Sequence, residues 1–213
     1  MTLSPHFQSW LQSLEAALQQ PLPGLQQQLR MAPPYREVPS EAWVQAQNPK
    51  IAAVLAIFTW EGDSIELIFT KRKSYAGVHS NQVSFPGGKA EPEDSSLLAT
   101  ALRESEEEIG LDLTSIRVLG ALSPLYIPPS NFLVHPFVAV STGAQSWQLQ
   151  ADEVAELLSI PLSHLQSANS RAERSITVAG GSRVVPGFVW QEHFIWGATA
   201  MMLEELLAVV GGS

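Results

Sequence analysis

The stretch VSFPGGKAEPEDSSLLATALRESEEEIGL, Val83–Leu111, sets two glycines before a helix-like segment that ends in Glu104, Glu106, Glu107 and Glu108, just ahead of Gly110. At about 100° per residue, Leu98, Leu102, Ser105 and Ile109 fall on one helix face. Glu104, Glu107 and Glu108, spaced i, i+3 and i+4, converge on another, and Glu106 points away. Arg103 lies beside Glu107, where it can orient or partly neutralise it. Gly110 suits a left-handed C-terminal cap.

Such crowding is unfavourable by itself. Like charges at i,i+4 disfavour a helix by about 0.2–0.5 kcal/mol per pair. Negative charge in the last turn opposes the helix dipole by about 0.3–1 kcal/mol more. A bound divalent cation reverses the sign of both terms, and carboxylate oxygens are the hard ligands that Mg2+ prefers. For the glutamates alone, a solvated acidic helix face is the competing reading. In FPGGK, Gly87 and Gly88 permit a tight turn and close approach of the backbone to a ligand. Glycine-rich loop, helix and clustered carboxylates in succession are more specific than any one of them.

Outward from this stretch, 213 residues suggest one domain with an added arm. Apolar residues at 45% allow a sizeable core, and a net charge of −9 argues against a general nucleic-acid or membrane-surface binder. An acidic protein can still take an anionic substrate if metal ions stand between them. The absence of cysteine excludes disulfide and thiolate chemistry. No basic-then-apolar leader opens MTLSPHFQSW, and the longest apolar run, IAAVLAIF, is too short to span a bilayer, so a cytoplasmic location is expected.

FQSWLQSLEAALQQ has helical spacing through Phe7, Trp10, Leu11, Leu14, Ala17 and Leu18, and GLQQQLRM suggests a shorter helix. APPYREVPSEAW reads as a Pro-rich surface segment. Residues 1–50 are therefore an expected arm, packed on a domain at 51–213. IAAVLAIFTW and SIELIFTKR, joined by EGD, predict a hairpin whose first strand is buried on both faces. VSF and IRVLGAL predict strands, as does FLVHPFVAVS, interrupted at Pro136. DEVAELLSIPLSHL predicts a helical turn, a short strand and a second helical start. RSITVAGGSRVV predicts a hairpin turning at Gly180 and Gly181, and GATAMMLEELLAVV a final amphipathic helix. Strands with interspersed helices predict an α+β chain with a mixed sheet covered on both faces.

His79, His135, His164 and His193 are too widely spaced for a metal set without cysteine. They read as polar contacts, with His79 set apart by its loop. Trp190 and Trp196 read as core, with stacking on adenine as the alternative.

The opening stretch resembles the Nudix box, the loop–helix–loop motif G-x5-E-x7-R-E-U-x-E-E-x-G-U, where U is bulky and apolar. RESEEEIGL matches its second half, with Arg103, Glu104, Glu107, Glu108, Gly110 and Leu111 in register. Ser105 stands where an apolar residue is usual. From Gly88, five residues lead to Asp94 rather than Glu, and eight rather than seven then lead to Arg103. One extra residue is present, which weakens transfer of a metal role to Asp94 but not to the glutamates after Arg103.

FTKRKSYAGVHSNQVSFPGGKAEPED is similar to the segment of coenzyme A pyrophosphatases that reads L-L-T-x-R-S, then an Arg, then G-Q-V-x-F-P-G-G. Thr70, Arg72, His79, Gln82, Val83, Phe85, Pro86, Gly87 and Gly88 fall in register. Lys73 replaces a small residue, Gly77 stands where Arg is common, and Asn81 where Gly is common. MAPPYR, LYIPPSNFLVHPFVAV, DEVAELLSIPL and WQEHFIWGATAMMLEELL resemble the same subfamily, from about Leu22 to Val210.

The resemblance implies a Nudix-type α/β/α sandwich with a mixed sheet. It implies hydrolysis of the diphosphate of coenzyme A or an acyl derivative to 3′,5′-ADP and 4′-phosphopantetheine. Glu104, Glu107 and Glu108 would hold Mg2+ or Mn2+. The base would be Glu104 or a later residue, Glu153 ahead of Glu156, with Glu107 a ligand or a further catalytic group. Arg72, Lys73, His79, Gln82, Gly87, Gly88, Lys89 and Arg103 would meet the substrate. The expected partner is thus a small nucleotide-type molecule, not nucleic acid or membrane, and a homodimer stays open. An ADP-ribose or dinucleotide pyrophosphatase is the second reading, and a non-catalytic ligand-binding module the third. The retained glutamates favour an enzyme.

Overall fold

Strand β1 (Lys50–Glu61) explains the architecture. Successive strand residues face opposite ways. Ala53, Leu55 and Ile57 enter one apolar cluster, while Ala52, Ala56 and Phe58 enter another. The near-continuous apolar run is therefore a strand buried on both faces. The computed structural model describes residues 5–73, 82–178 and 181–211. Its helices are α1 (Pro5–Leu18), α2 (Gly24–Gln28), α3 (Glu41–Ala46), α4 (Leu97–Ile109), α5 (Leu162–Gln166) and α6 (Gly197–Gly211). The further strands are β2 (Ser64–Arg72), β3 (Val83–Ser84), β4 (Gly87–Lys89), β5 (Ile116–Ala121), β6 (Leu125–Ile127), β7 (Phe132–Ser141), β8 (Val154–Pro161), β9 (Arg171–Val178), β10 (Gly181–Trp190) and β11 (His193–Trp196).

The larger sheet is mixed. β1 pairs in parallel with β7 and antiparallel with β2 and β4, and β8 and β3 extend from β2. β4 meets the start of β1, at Ala52–Val54, and β2 meets its end, at Phe58–Glu61. The FPGG turn enters between them, with Leu55 N–H donating to the Pro86 carbonyl at 2.9 Å. α4 covers one face of the sheet through Ala101 and Ile109. α1 and α6 cover the other, where Phe7, Leu11, Leu14 and Leu18 share a cluster with Leu203 and Leu206. β9, β10 and β11 form a second, antiparallel sheet.

Several local expectations are corrected. The Pro-rich segment runs into a short helix, α3, because Ser40 caps it by accepting from Trp43 N–H. β7 is not interrupted at Pro136. The Pro136 carbonyl accepts from Leu122 N–H at 2.9 Å, and its missing N–H falls where β5 hands over to β6. Val154–Glu156 belongs to β8 rather than to a helical turn, since β2 pairs along it. α6 is buried nearly all round rather than amphipathic, with Glu204 and Glu205 inside. On α4, Leu97 and Ala101 pack on the sheet, and Leu98 stays out of that cluster. The hairpin of β9 and β10 forms, though Gly180 at its turn lies outside the described residues.

Candidate active site

α4 starts at Ser96, whose hydroxyl accepts from Ala99 N–H at 3.1 Å. It ends at Gly110, in the left-handed region at φ 66°. Ser105, where an apolar residue was expected, is buried and returns its hydroxyl to the Ala101 carbonyl at 2.7 Å.

Arg103 organises the exposed side of the helix. Its Nε and Nη2 donate to Asp94 at 2.9 and 3.1 Å. Nη1 donates to Glu104 and Glu107, both at 3.1 Å, and Nη2 also reaches the Lys89 carbonyl at 3.3 Å. Asp94 takes the Glu91 N–H and the Thr100 hydroxyl as well. Arg103 foremost holds Asp94 well below the usual carboxylate range, and Asp94 raises Arg103 in turn. The extra residue therefore leaves Asp94 able to anchor the arginine.

Gly87 is required sterically, and Gly88 leaves room for a carboxylate. Gly87 has φ +140°, and a Cβ there would lie 2.4 Å from the Ala53 carbonyl oxygen. A Cβ on Gly88 would lie 2.3 Å from Glu104 Oε2. The loop thus brings bare backbone against the helix carboxylates.

Glu108 is buried beneath this loop. Its Oε2 accepts from Gly87 N–H at 3.1 Å, and its Oε1 lies 3.7 Å from Arg72 Nη1. Burial pushes its carboxyl up to about 7, with Glu104 and Glu153 adding to the rise and Gly87 N–H and Arg72 opposing it. Glu104 is also raised, by burial first, against the pull of Arg103.

Glu153 arrives from a distant segment. Gln148 N–H and Gln150 N–H donate to the Ile109 and Glu108 carbonyls at 2.9 and 2.8 Å. These bonds satisfy groups that a helix C-terminus leaves open. Gly110 makes room for this docking, because a Cβ there would lie 2.8 Å from Gln148 Cβ. Glu104, Glu107, Glu108, Gln150 and Glu153 then line a recess of about 160 Å3. Glu156 lies elsewhere, 3.4 Å from Lys71 Nζ and 3.5 Å from His193 Nε2.

The end of β2 frames the recess. Arg72 Nη2 lies 3.7 Å from Glu153 Oε2. Arg72 N–H donates to the Gln82 carbonyl at 3.0 Å, and Lys73 N–H to the Glu153 carbonyl at 2.9 Å. His79, Gly77 and Asn81 lie outside the described residues. His164 contacts the Val189 carbonyl and the Trp190 ring, and Trp190 packs against the larger core cluster. Gln150 was missed by sequence reasoning, and only the docking of its backbone on α4 marks it.

The donor set fits a divalent cation: hard carboxylate oxygens share one recess, and Glu108 is raised by burial and like charge. Among the described residues no three His, Cys, Asp or Glu already form a metal-holding group. Glu104 and Glu107 each give one oxygen to Arg103, through Oε1 and Oε2 respectively, which leaves the second oxygen of each carboxylate for a cation.

The NUDIX domain model matches residues 49–178. The chain is 34% identical over 179 residues to the uncharacterized Nudix hydrolase NudL of Photorhabdus laumondii, covering 84% of this chain and 91% of that protein. It is 38% identical over 140 residues to NudL of Yersinia enterocolitica, covering 66% and 71%. The fold is similar to that of the Nudix hydrolase RenU of M. smegmatis, with TM-score 0.52, 14% identity, and coverage of 77% of this chain and 86% of that one. The chain belongs to the Nudix family. It is a hydrolase acting on diphosphate bonds, in a family that generally uses divalent metal ions. No helix among the described residues is long and apolar enough to cross a membrane.

Proposed function

We propose that this hydrolase cleaves the diphosphate of coenzyme A or its acyl derivatives, giving 3′,5′-ADP and the corresponding 4′-phosphopantetheine. The observation that carries the reading is the recess that gathers Glu104, Glu107, Glu108 and Glu153 against Arg72, at the end of the TKRK run. The resemblance of that run and the FPGG loop to coenzyme A pyrophosphatases supplies the substrate class.

In this reading Glu104, Glu107 and Glu108 hold Mg2+ or Mn2+. Such an ion supplies charge neutralisation on the diphosphate oxygens and a more acidic water. Glu153, half exposed at the rim, takes a proton from the attacking water. Gly87 and Gly88 let the diphosphate approach the backbone closely. Arg72, Lys73, Gln82 and Lys89 meet the anionic substrate, a role the resemblance also assigns to His79, and Arg103 sets the two glutamates it bonds. A panel of coenzyme A species, ADP-ribose and dinucleotides, with products identified by mass spectrometry, tests the assignment. The expected result is the highest kcat/KM on coenzyme A species, and a preference for ADP-ribose would overturn it.

A further inference from the structure

Arg72 stands between two carboxylates without being clamped by either. Its separations from Glu108 and Glu153, 3.7 Å each, exceed a charge-assisted hydrogen bond of about 2.7–2.9 Å. Its Nε is buried and has no hydrogen-bond partner among the described residues. The contrast is with Arg103, whose Nε and both Nη groups donate at 2.9–3.3 Å.

A strand irregularity puts Arg72 there. β2 pairs with β8 as Lys71 with Glu156 and then Arg72 with Val154, passing over Ala155. A bulge of this kind re-aims a side chain. Lys71 goes to Glu156, away from the recess, while Arg72 goes to Glu108 and Glu153. The sheet thus delivers a guanidinium to Glu108, whose oxygens a divalent cation would need, and to Glu153 beside it.

We propose that Arg72 is the resident counter-ion of this recess: it neutralises Glu108 and Glu153 in the metal-free protein, is turned out when a divalent cation enters, and then offers its guanidinium to the anionic substrate. This rests on reading the recess as a divalent-cation site. Two cations within a few ångströms repel strongly in a partly buried setting, so one must yield. A guanidinium turned outward presents a fork that matches phosphate oxygens. Cation binding takes Glu108 from Arg72 and substrate binding returns a partner, so each ligand strengthens the other by the same factor.

The test uses the full chain carrying 15N at arginine Nε, titrated with Mg2+. The Arg72 signal is assigned with Arg72→Lys, and circular dichroism checks that each variant is folded. The Arg72 Nε–H resonance is expected to move in step with Mg2+ binding measured by calorimetry. Arg72→Gln should bind Mg2+ about tenfold more tightly than wild type, and Arg72→Lys within about threefold of it. With Mg2+ present, Arg72→Gln should bind methylenediphosphonate about tenfold more weakly. An Arg72 resonance unmoved at saturating Mg2+, or an Arg72→Gln affinity for Mg2+ equal to or below wild type, overturns the proposal. If wild type binds no Mg2+ at all, the reading of the recess falls first and this proposal with it.

Discussion

α4 and α6 each carry adjacent glutamates, and the two sets live in different surroundings. On α6, Glu205 is fully buried, and its oxygens accept from Gly24 N–H at 3.0 Å, Ser123 N–H at 3.3 Å and Gln28 Nε2 at 2.7 Å. Glu204 accepts from Gln27 Nε2 at 3.1 Å and Arg171 Nη2 at 2.9 Å. These carboxylates join α2, the start of β9 and the turn at Ser123 to the last helix. On α4, Glu108 is just as hidden, yet one backbone N–H is its only close donor among the described residues. Glu104 and Glu107 share a single Arg103 nitrogen. Burial therefore does not separate the two sets. The number of donors per oxygen does, because a buried charge left short of partners remains ready for another cation.

The contrast breaks most sharply at Glu205. Glu205→Ala leaves three N–H donors without their acceptor, and is expected to cost about 3–5 kcal/mol in urea denaturation. The folded fraction should keep wild-type kcat; a loss of kcat per folded molecule would move Glu205 into the functional set. Next is Glu107→Gln, expected to lower kcat about a hundredfold while leaving the metal-free stability within about 0.5 kcal/mol. Activity within twofold of wild type at saturating Mg2+ would take Glu107 out of the metal set.

Glu108 sharpens the comparison through pH. Its carboxyl stands at about 7 in the fold against an ordinary 4.5. Between those values the folded protein keeps a proton that the unfolded chain has released. The stabilisation is complete below pH 4.5 and is lost as pH rises through about 7. In EDTA, this group should remove about 1–3 kcal/mol across that range, and Glu108→Gln should flatten the slope. An identical slope in the mutant would assign the titration to another group. The smallest effect is thermal. Mg2+ at about ten times its Kd should raise Tm by about 3–6 °C. Glu104→Gln with Glu108→Gln should abolish most of that rise, and an equal rise in the double mutant would place the ion elsewhere.

The α4 glutamates were legible because helical spacing alone puts three of them on one side; the doubled glycine suggested close approach to a ligand, whereas the neighbours it admits here are the Ala53 backbone and the Glu104 carboxylate. Strand β1 was legible because an unbroken apolar run has few other places to go. What stayed hidden depends on pairing between distant segments. Glu153 belongs to the recess only because Gln148 and Gln150 close the end of α4, some forty residues earlier in the chain. Arg72 is aimed by a bulge that exists only once β8 lies beside β2. Pro136 read as a break because the handover between β5 and β6, which excuses its missing N–H, cannot be seen from one strand. α6 read as amphipathic because Glu204 and Glu205 look like solvent residues until their partners close over them.

Gly88 has no side chain, yet the space its Cβ would fill is taken by the Glu104 carboxylate. Positions 88 and 104 therefore behave as one lock with two wards. A library varying both together would show coupling: alanine at 88 must displace the Glu104 carboxylate while 104 is full length, and that cost is relieved once 104 is shortened. Each residue thus sets part of the cost of changing the other, so substitutions scored one at a time would misjudge both.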